Sequence, residues 1–149
     1  MRTFYRKPAS YRQYLQEQIP SHLASRVHFR GPLPNESLPD IYHKADLFVF
    51  PSIWDEPFGM PVVEAMASGL PVIATHAGAF PETVHDGKSG LLVEWGNANA
   101  LALALERLLV NPQLRRDMGA AARRRAIGEF NWDHIAERLR EHYRALILR

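Results

Sequence analysis

Pro51-Ser52-Ile53-Trp54-Asp55-Glu56-Pro57-Phe58-Gly59-Met60-Pro61-Val62-Val63-Glu64-Ala65-Met66-Ala67-Ser68-Gly69 is the stretch on which the reading of this sequence turns. Residues 47–50 before it form a continuous apolar run, the mark of a strand buried on both faces, and Pro51-Ser52 stops it. A helix is predicted over residues 60–68. Pro61 suits its first turn, and Gly69 can take the left-handed conformation that ends it. One carboxylate, Glu56, therefore falls in a loop, and a second, Glu64, about one turn into a helix. The N–H groups of Met60, Val62 and Val63 read as free at the positive helix end, where hydrogen bonds and dipole together favour an anion. Gly59 would let that anion approach the backbone closely. Either glutamate alone favours a structural reading, because acidic residues suit first helical turns anyway; the combination reverses that preference.

The same alternation of strand and helix recurs on either side. A helix is expected at 11–18 with Pro20 interrupting it, and a strand at 27–30 ended by Gly31-Pro32. Ser37 is placed to cap a short helix at 38–44. Further strands are expected at 72–75 and 91–93, with a short helix at 81–85 between them. Asn97 opens a helix that puts Leu101, Leu105 and Leu108 on one face, and Asn111 caps the next. A last helix after Asn131 carries Ile135, Leu139, Tyr143 and Leu146 on one stripe. Buried strands alternating with helices imply an α/β fold, a Rossmann-like parallel sheet covered on both faces. Such sheets bind ligands beyond the carboxyl ends of their strands, here the segments following Arg30, Phe50 and Thr75.

Composition excludes several classes. The 149 residues suit one globular domain, and a formal charge of +2 without aromatic interleaving argues against nucleic acid as a partner. The absence of cysteine excludes a disulfide scaffold and thiol catalysis. No apolar run approaches the roughly 18–20 residues of a membrane span, and no signal core follows Met1, so a cytoplasmic location is expected. Histidines show no metal-ligand spacing; His76, just past a strand, is the one retained as a site neighbour. Arg115-Arg116 and Arg123-Arg124-Arg125 read as the solvated face of a helix whose apolar side is Leu114, Met118, Ala121 and Ala122. Weak attachment to a membrane surface, at the inner membrane, is the other use those arginines allow.

The Glu56 to Glu64 spacing, with Phe58-Gly59 between and Ala65-Met66-Ala67 after, resembles the E-x7-E signature of family 4 and related retaining glycosyltransferases of the two-domain GT-B kind. The resemblance extends over Arg26-Val27-His28-Phe29 with Gly31, Leu38-Pro39 with Tyr42, Ala45-Asp46, Pro51-Ser52, Gly69-Leu70-Pro71-Val72-Ile73-Ala74, Pro81-Glu82, Asp86-Gly87 with Gly90-Leu91-Leu92-Val93, and the Phe130 to Trp132 segment. It implies that the chain, 1–149, is the nucleotide-sugar-binding C-terminal domain of such an enzyme. It also implies that Glu56 lies by the transferred sugar as the catalytic carboxylate, and that the backbone from Phe58 through Gly59, Met60 and Pro61 to Val62 contacts sugar and pyrophosphate. Glu64 would hold the ribose hydroxyls, and Gly31, Pro32 and Leu33 would line the base pocket. The resemblance further implies a nucleotide diphosphate sugar as donor, transfer with retention, and no requirement for a metal or cofactor.

Two departures bear on this. Gly78-Ala79 stands where the family usually shows Gly-Gly. The family's domain also begins with two strands and an arginine and lysine that neutralise the pyrophosphate, and neither strand has a match before Tyr11. In the family's order those strands lie between the 27–30 and 47–50 strands, so the sheet should have a hole. The expectation is a fragment or a divergent reading frame, inactive alone and lacking the acceptor-binding N-terminal domain, whose missing strands come from a partner chain, from Met1 to Lys7 in part, or not at all. The alternatives are a non-catalytic nucleotide-sugar-binding or scaffold module that needs such a partner and, less well matched by the spacing, a sugar-nucleotide epimerase.

Overall fold

The computed structural model describes residues 10–147, which fall into two compact units, the first ending at Asn35 and the second beginning at Glu36. In the first unit, helix α1 (Tyr11–Glu17) is capped by Ser10, whose hydroxyl accepts from the Gln13 N–H at 3.1 Å. A 3-10 helix, Ser21–Arg26, follows Pro20. Residues 27–30 are not a strand. Val27 is extended (φ −110°, ψ 119°), but the Phe29 carbonyl accepts from the Arg12 guanidinium at 3.0 Å, and that guanidinium lies 5.7 Å from the Phe29 ring centre. Alternating apolar residues make a chain extended; only a neighbour to share hydrogen bonds makes it a strand.

The second unit carries helix α2 (Leu38–His43), strand β1 (Phe48–Phe50), helix α3 (Met60–Ala67), strand β2 (Val72–Thr75), helix α4 (Phe80–Thr83), strand β3 (Gly90–Val93), and helices α5 (Ala98–Leu109), α6 (Pro112–Glu129) and α7 (Trp132–Ile147). Ser37 does not cap α2: its backbone is already helical (φ −88°, ψ −13°) and its hydroxyl makes no capping bond. The strands form one parallel sheet in the order β1-β2-β3, with Val49 opposite Ile73 and Ile73 opposite Leu91.

Every residue of β2 is buried, as its apolar run requires. Val72 and Ala74 point into one core with Val62, Met66, Phe80 and Ala122; Ile73 points into the other with Leu91, Leu108 and Met118. Helices thus cover both faces. β1 departs from expectation. Its three residues are half-buried, because it is an edge strand among the described residues and pairs with β2 alone.

Asn97 and Asn111 cap α5 and α6, accepting from Ala100 N–H at 2.9 Å and Leu114 N–H at 3.0 Å. Gly69 (φ 83°) ends α3: its N–H bonds Met66 O at 2.9 Å while Leu70 N–H bonds Ala65 O at 3.1 Å, a Schellman arrangement. Gly119 of α6 packs so close to the Gly69 carbonyl that a Cβ would come within 2.2 Å of its oxygen.

The arginines of α6 are not a uniformly solvated face. Arg115 donates to Leu108 O and Leu109 O at 2.7 and 2.8 Å, Arg123 donates to Ala67 O, and Arg125 donates to Thr83 O and Glu82 O at 2.8 and 2.6 Å. One helix therefore supplies cations to the carboxyl ends of α5, α3 and α4, where unpaired carbonyls and the negative dipole end favour them. Only 10% of the Arg125 side chain is exposed. Helix α7 has no buried residue; Ile135 is half-buried, while Leu139, Tyr143 and Leu146 of its apolar stripe are exposed.

Candidate functional site

The loop from Ser52 to Gly59 is bound to the loop after β2 by a short ladder beyond the sheet. The Thr75 hydroxyl donates to Ser52 O at 2.7 Å, Gly78 N–H to the Asp55 carboxylate at 3.0 Å, and Ala79 N–H to Glu56 O at 3.0 Å. Gly78 must be glycine here. Its φ is 52°, and a Cβ would sit 2.2 Å from Glu56 O. Ala79 has an ordinary helical backbone (φ −79°, ψ 0°), so alanine in place of the second glycine is accommodated without strain.

These contacts fix the backbone of Glu56, and the Trp54 indole N–H fixes its side chain, donating to Oε1 at 2.5 Å. Trp54 is otherwise open, 64% exposed. Phe58 meets Phe130 edge to face at 5.8 Å, and the Arg125 guanidinium covers that ring at 5.4 Å. The far end of the loop is thereby tied to the end of α6.

Gly59 precedes α3 in a left-handed conformation (φ 78°, ψ 57°), and a Cβ would come within 2.4 Å of the Phe80 ring. The requirement for glycine is set by this backbone and this ring, where the sequence suggested close approach of an anion. The free N–H groups are also fewer than expected. Val62 N–H bonds Gly59 O at 2.9 Å and Val63 N–H bonds the same oxygen at 3.4 Å. Of the three N–H groups, that of Met60 remains without a protein partner among the described residues, at an exposed position on the positive end of α3.

Glu64 is half-buried one turn into α3, and its Oε2 accepts from the Tyr42 hydroxyl at 3.1 Å. Partial burial, then the hydrogen bond and charge of Glu64, push the Tyr42 phenol up to about 12. This contact joins residues 22 apart and has no local sequence signature. Glu56, Phe58, Gly59, Met60, Pro61, Val62 and Glu64 thus stand on one continuous loop and helix entrance of the second unit. Gly31, left-handed at φ 72°, and the exposed Pro32 and Leu33 belong to the first unit.

A cavity of about 180 Å³ opens at the carboxyl ends of the strands, lined among others by Pro51, Ile53, Thr75, Glu94, Asn97 and Leu101. Neither Glu56 nor Glu64 is among its lining residues. His76 is exposed just past β2, and its N–H donates to Val93 O at 2.8 Å. Among the described residues no cluster of His, Asp and Glu could hold a metal ion, and no helix is long and apolar enough to cross a membrane.

A three-stranded parallel sheet with helices on both faces is the fold of the C-terminal domain of a GT-B glycosyltransferase. Residues 9–125 match the family described as glycosyl transferases group 1, and the chain belongs to that family. It is 42% identical over 122 residues to the α-maltose-1-phosphate synthase of Mycolicibacterium smegmatis, an alignment covering 77% of this chain and 31% of the relative. Among solved structures, the sucrose-phosphate synthase of Thermosynechococcus elongatus superposes with a TM-score of 0.77 at 42% identity, over 85% of this chain and 32% of the other. HepE of Anabaena, solved in complex with UDP, superposes with a TM-score of 0.78 at 30% identity, over 83% of this chain and 34% of the other. The chain thus spans about a third of the length of these relatives.

Proposed function

We propose that this chain is the donor side of a glycosyl transfer, binding a nucleotide diphosphate sugar whose sugar passes to an acceptor with retention at the anomeric carbon. The observation that carries the reading is the placement of two restrained carboxylates, Glu56 and Glu64, on either side of the positive entrance of α3. A pyrophosphate at that entrance would meet the Met60 N–H and the helix dipole. Glu64, one turn further in, would accept from the ribose hydroxyls, and Glu56, in the loop, would face the sugar. That Gly31, Pro32 and Leu33 line the base rests on the family resemblance alone. HepE, a similar structure, holds UDP. Retention and independence from a metal or cofactor rest on the family resemblance, and both belong to the proposal.

The acceptor site, and the cations that neutralise the departing diphosphate, would come from an N-terminal domain or a partner chain. Among the described residues β1 bonds to β2 alone, and a strand bonded on one side can take a further strand on the other. Calorimetric titration of the 149-residue chain with uridine, guanosine and adenosine diphosphates tests the reading. One nucleotide should bind. Glu64→Ala should weaken it roughly tenfold or more, whereas Glu56→Ala should change it less than about twofold. No binding by the folded chain would favour a scaffold module completed by a partner, and equal losses from both variants would refute the assigned roles.

A further inference from the structure

We propose that Tyr42 is a positioning residue for the donor site: its hydroxyl holds Oε2 of Glu64 so that Oε1 and the remaining lone pair of Oε2 are presented to a vicinal diol. This rests on the donor-side reading above. A glutamate on a helix surface has three rotatable bonds and a carboxylate that can face several ways, so holding a diol would require ordering it on binding. Here the ordering is already done. Among the described residues the Tyr42 hydroxyl is the one hydrogen-bond partner of this carboxylate, at 3.1 Å.

Tyr42 is itself held. Its ring meets Phe48 edge to face at 5.7 Å, Phe48 stacks on Phe50 at 6.2 Å, and Phe50 meets the buried Phe80 at 5.5 Å. Phe80 in turn is the ring against which Gly59 fits. A line of four aromatic rings therefore runs from the partner of Glu64 to the helix entrance, and both ends of the proposed diphosphate and ribose site bear on the same packed row. The Tyr42 phenol, displaced upward by its burial and by the hydrogen bond and charge of Glu64, is a donor throughout the neutral range.

The test is a two-by-two comparison of the wild-type chain, Tyr42→Phe, Glu64→Ala and the double variant. Each is titrated with the nucleoside diphosphate that binds and with its 2′,3′-dideoxy form. Tyr42→Phe should weaken the ribonucleotide roughly fivefold and leave the dideoxy form unchanged, and it should add nothing in the Glu64→Ala background. Equal weakening of both nucleotides, or independent losses in the double variant, would overturn the proposal and make Tyr42 a packing residue. Failure of the wild-type chain to bind any nucleoside diphosphate would sink the donor-side reading and the diol role with it. Ultraviolet titration of the tyrosines separates that outcome from failure of the contact itself. Glu64→Gln should lower the ionisation of one tyrosine that Tyr42→Phe removes, and an unchanged titration would mean that the two groups do not meet.

Discussion

Replacing Gly59 by alanine asks more of this structure than replacing Gly69, and the difference between them can be worked out. Both glycines have φ near +80°, where an L residue costs about 1–2 kcal/mol. Both changes also remove backbone freedom from the unfolded chain, which offsets the loss by about 0.4–1 kcal/mol in each case and cancels in the comparison. What differs is the room for a methyl group. At Gly69 nothing lies within 4 Å of the added Cβ, whereas at Gly59 it would stand 2.4 Å from Cε1 of Phe80. That ring is fully buried and in edge contact with Phe50, so it cannot swing away without moving the row behind it. Overpacking of this kind costs about 1–3 kcal/mol. Gly59→Ala should therefore be less stable than Gly69→Ala by about 1–3 kcal/mol in urea unfolding. In a thermal scan that is a further loss of roughly 3 °C for each kcal/mol. Shrinking the ring with Phe80→Leu should remove most of the difference. Equal destabilisation by the two alanines, or a difference that survives Phe80→Leu, would refute the argument that ring contact makes Gly59 necessary.

Arg125→Met should cost about 2–4 kcal/mol in urea unfolding, because it strips two carbonyls at the end of α4 of a part-buried charged donor. Arg116→Met, which loses only an exposed contact to Gln113, should stay within about 0.5 kcal/mol, and similar losses from both would mean that α6 presents an undifferentiated charged face. The Tyr42 phenol, raised from its usual 10.0 to about 12, contributes stability that is complete below pH 10 and is lost as pH rises through about 12, since the unfolded chain gives up this proton first. Unfolding followed against pH should show a decline across that window that is shallower in Tyr42→Phe, and identical slopes would count against the hydrogen bond to Glu64.

Much of the architecture is legible without coordinates, and the exceptions share a cause. The run Val72-Ile73-Ala74-Thr75 announces a buried strand because every residue in it avoids water. Gly69 and the two capping asparagines announce helix ends through local chemistry alone. Residues 27–30 have the alternation of a strand, but alternation says nothing about whether a neighbour is present, and the Phe29 carbonyl went to an arginine. The charges of α6 looked solvated because the helix ends they cap are brought beside them only by the fold. In the candidate site, the positions of Glu56, Glu64 and Gly59 are legible from spacing; that Tyr42 and Trp54 hold the two carboxylates, and that Gly59 O takes up the Val62 and Val63 N–H groups, depends on packing between distant or tightly turned segments.

The cations of α6 have a consequence for how this domain could be exchanged with that of a relative. Arg123 fastens the far end of α3, and Arg125 fastens α4, whose Phe80 shapes the near end. A chimaera joined anywhere between Gly69 and Glu129 would graft one protein's glutamate-bearing loop onto another's fasteners. A graft that keeps these contacts would carry the loop, α3, α4 and α6 together, with its seam beyond Phe130.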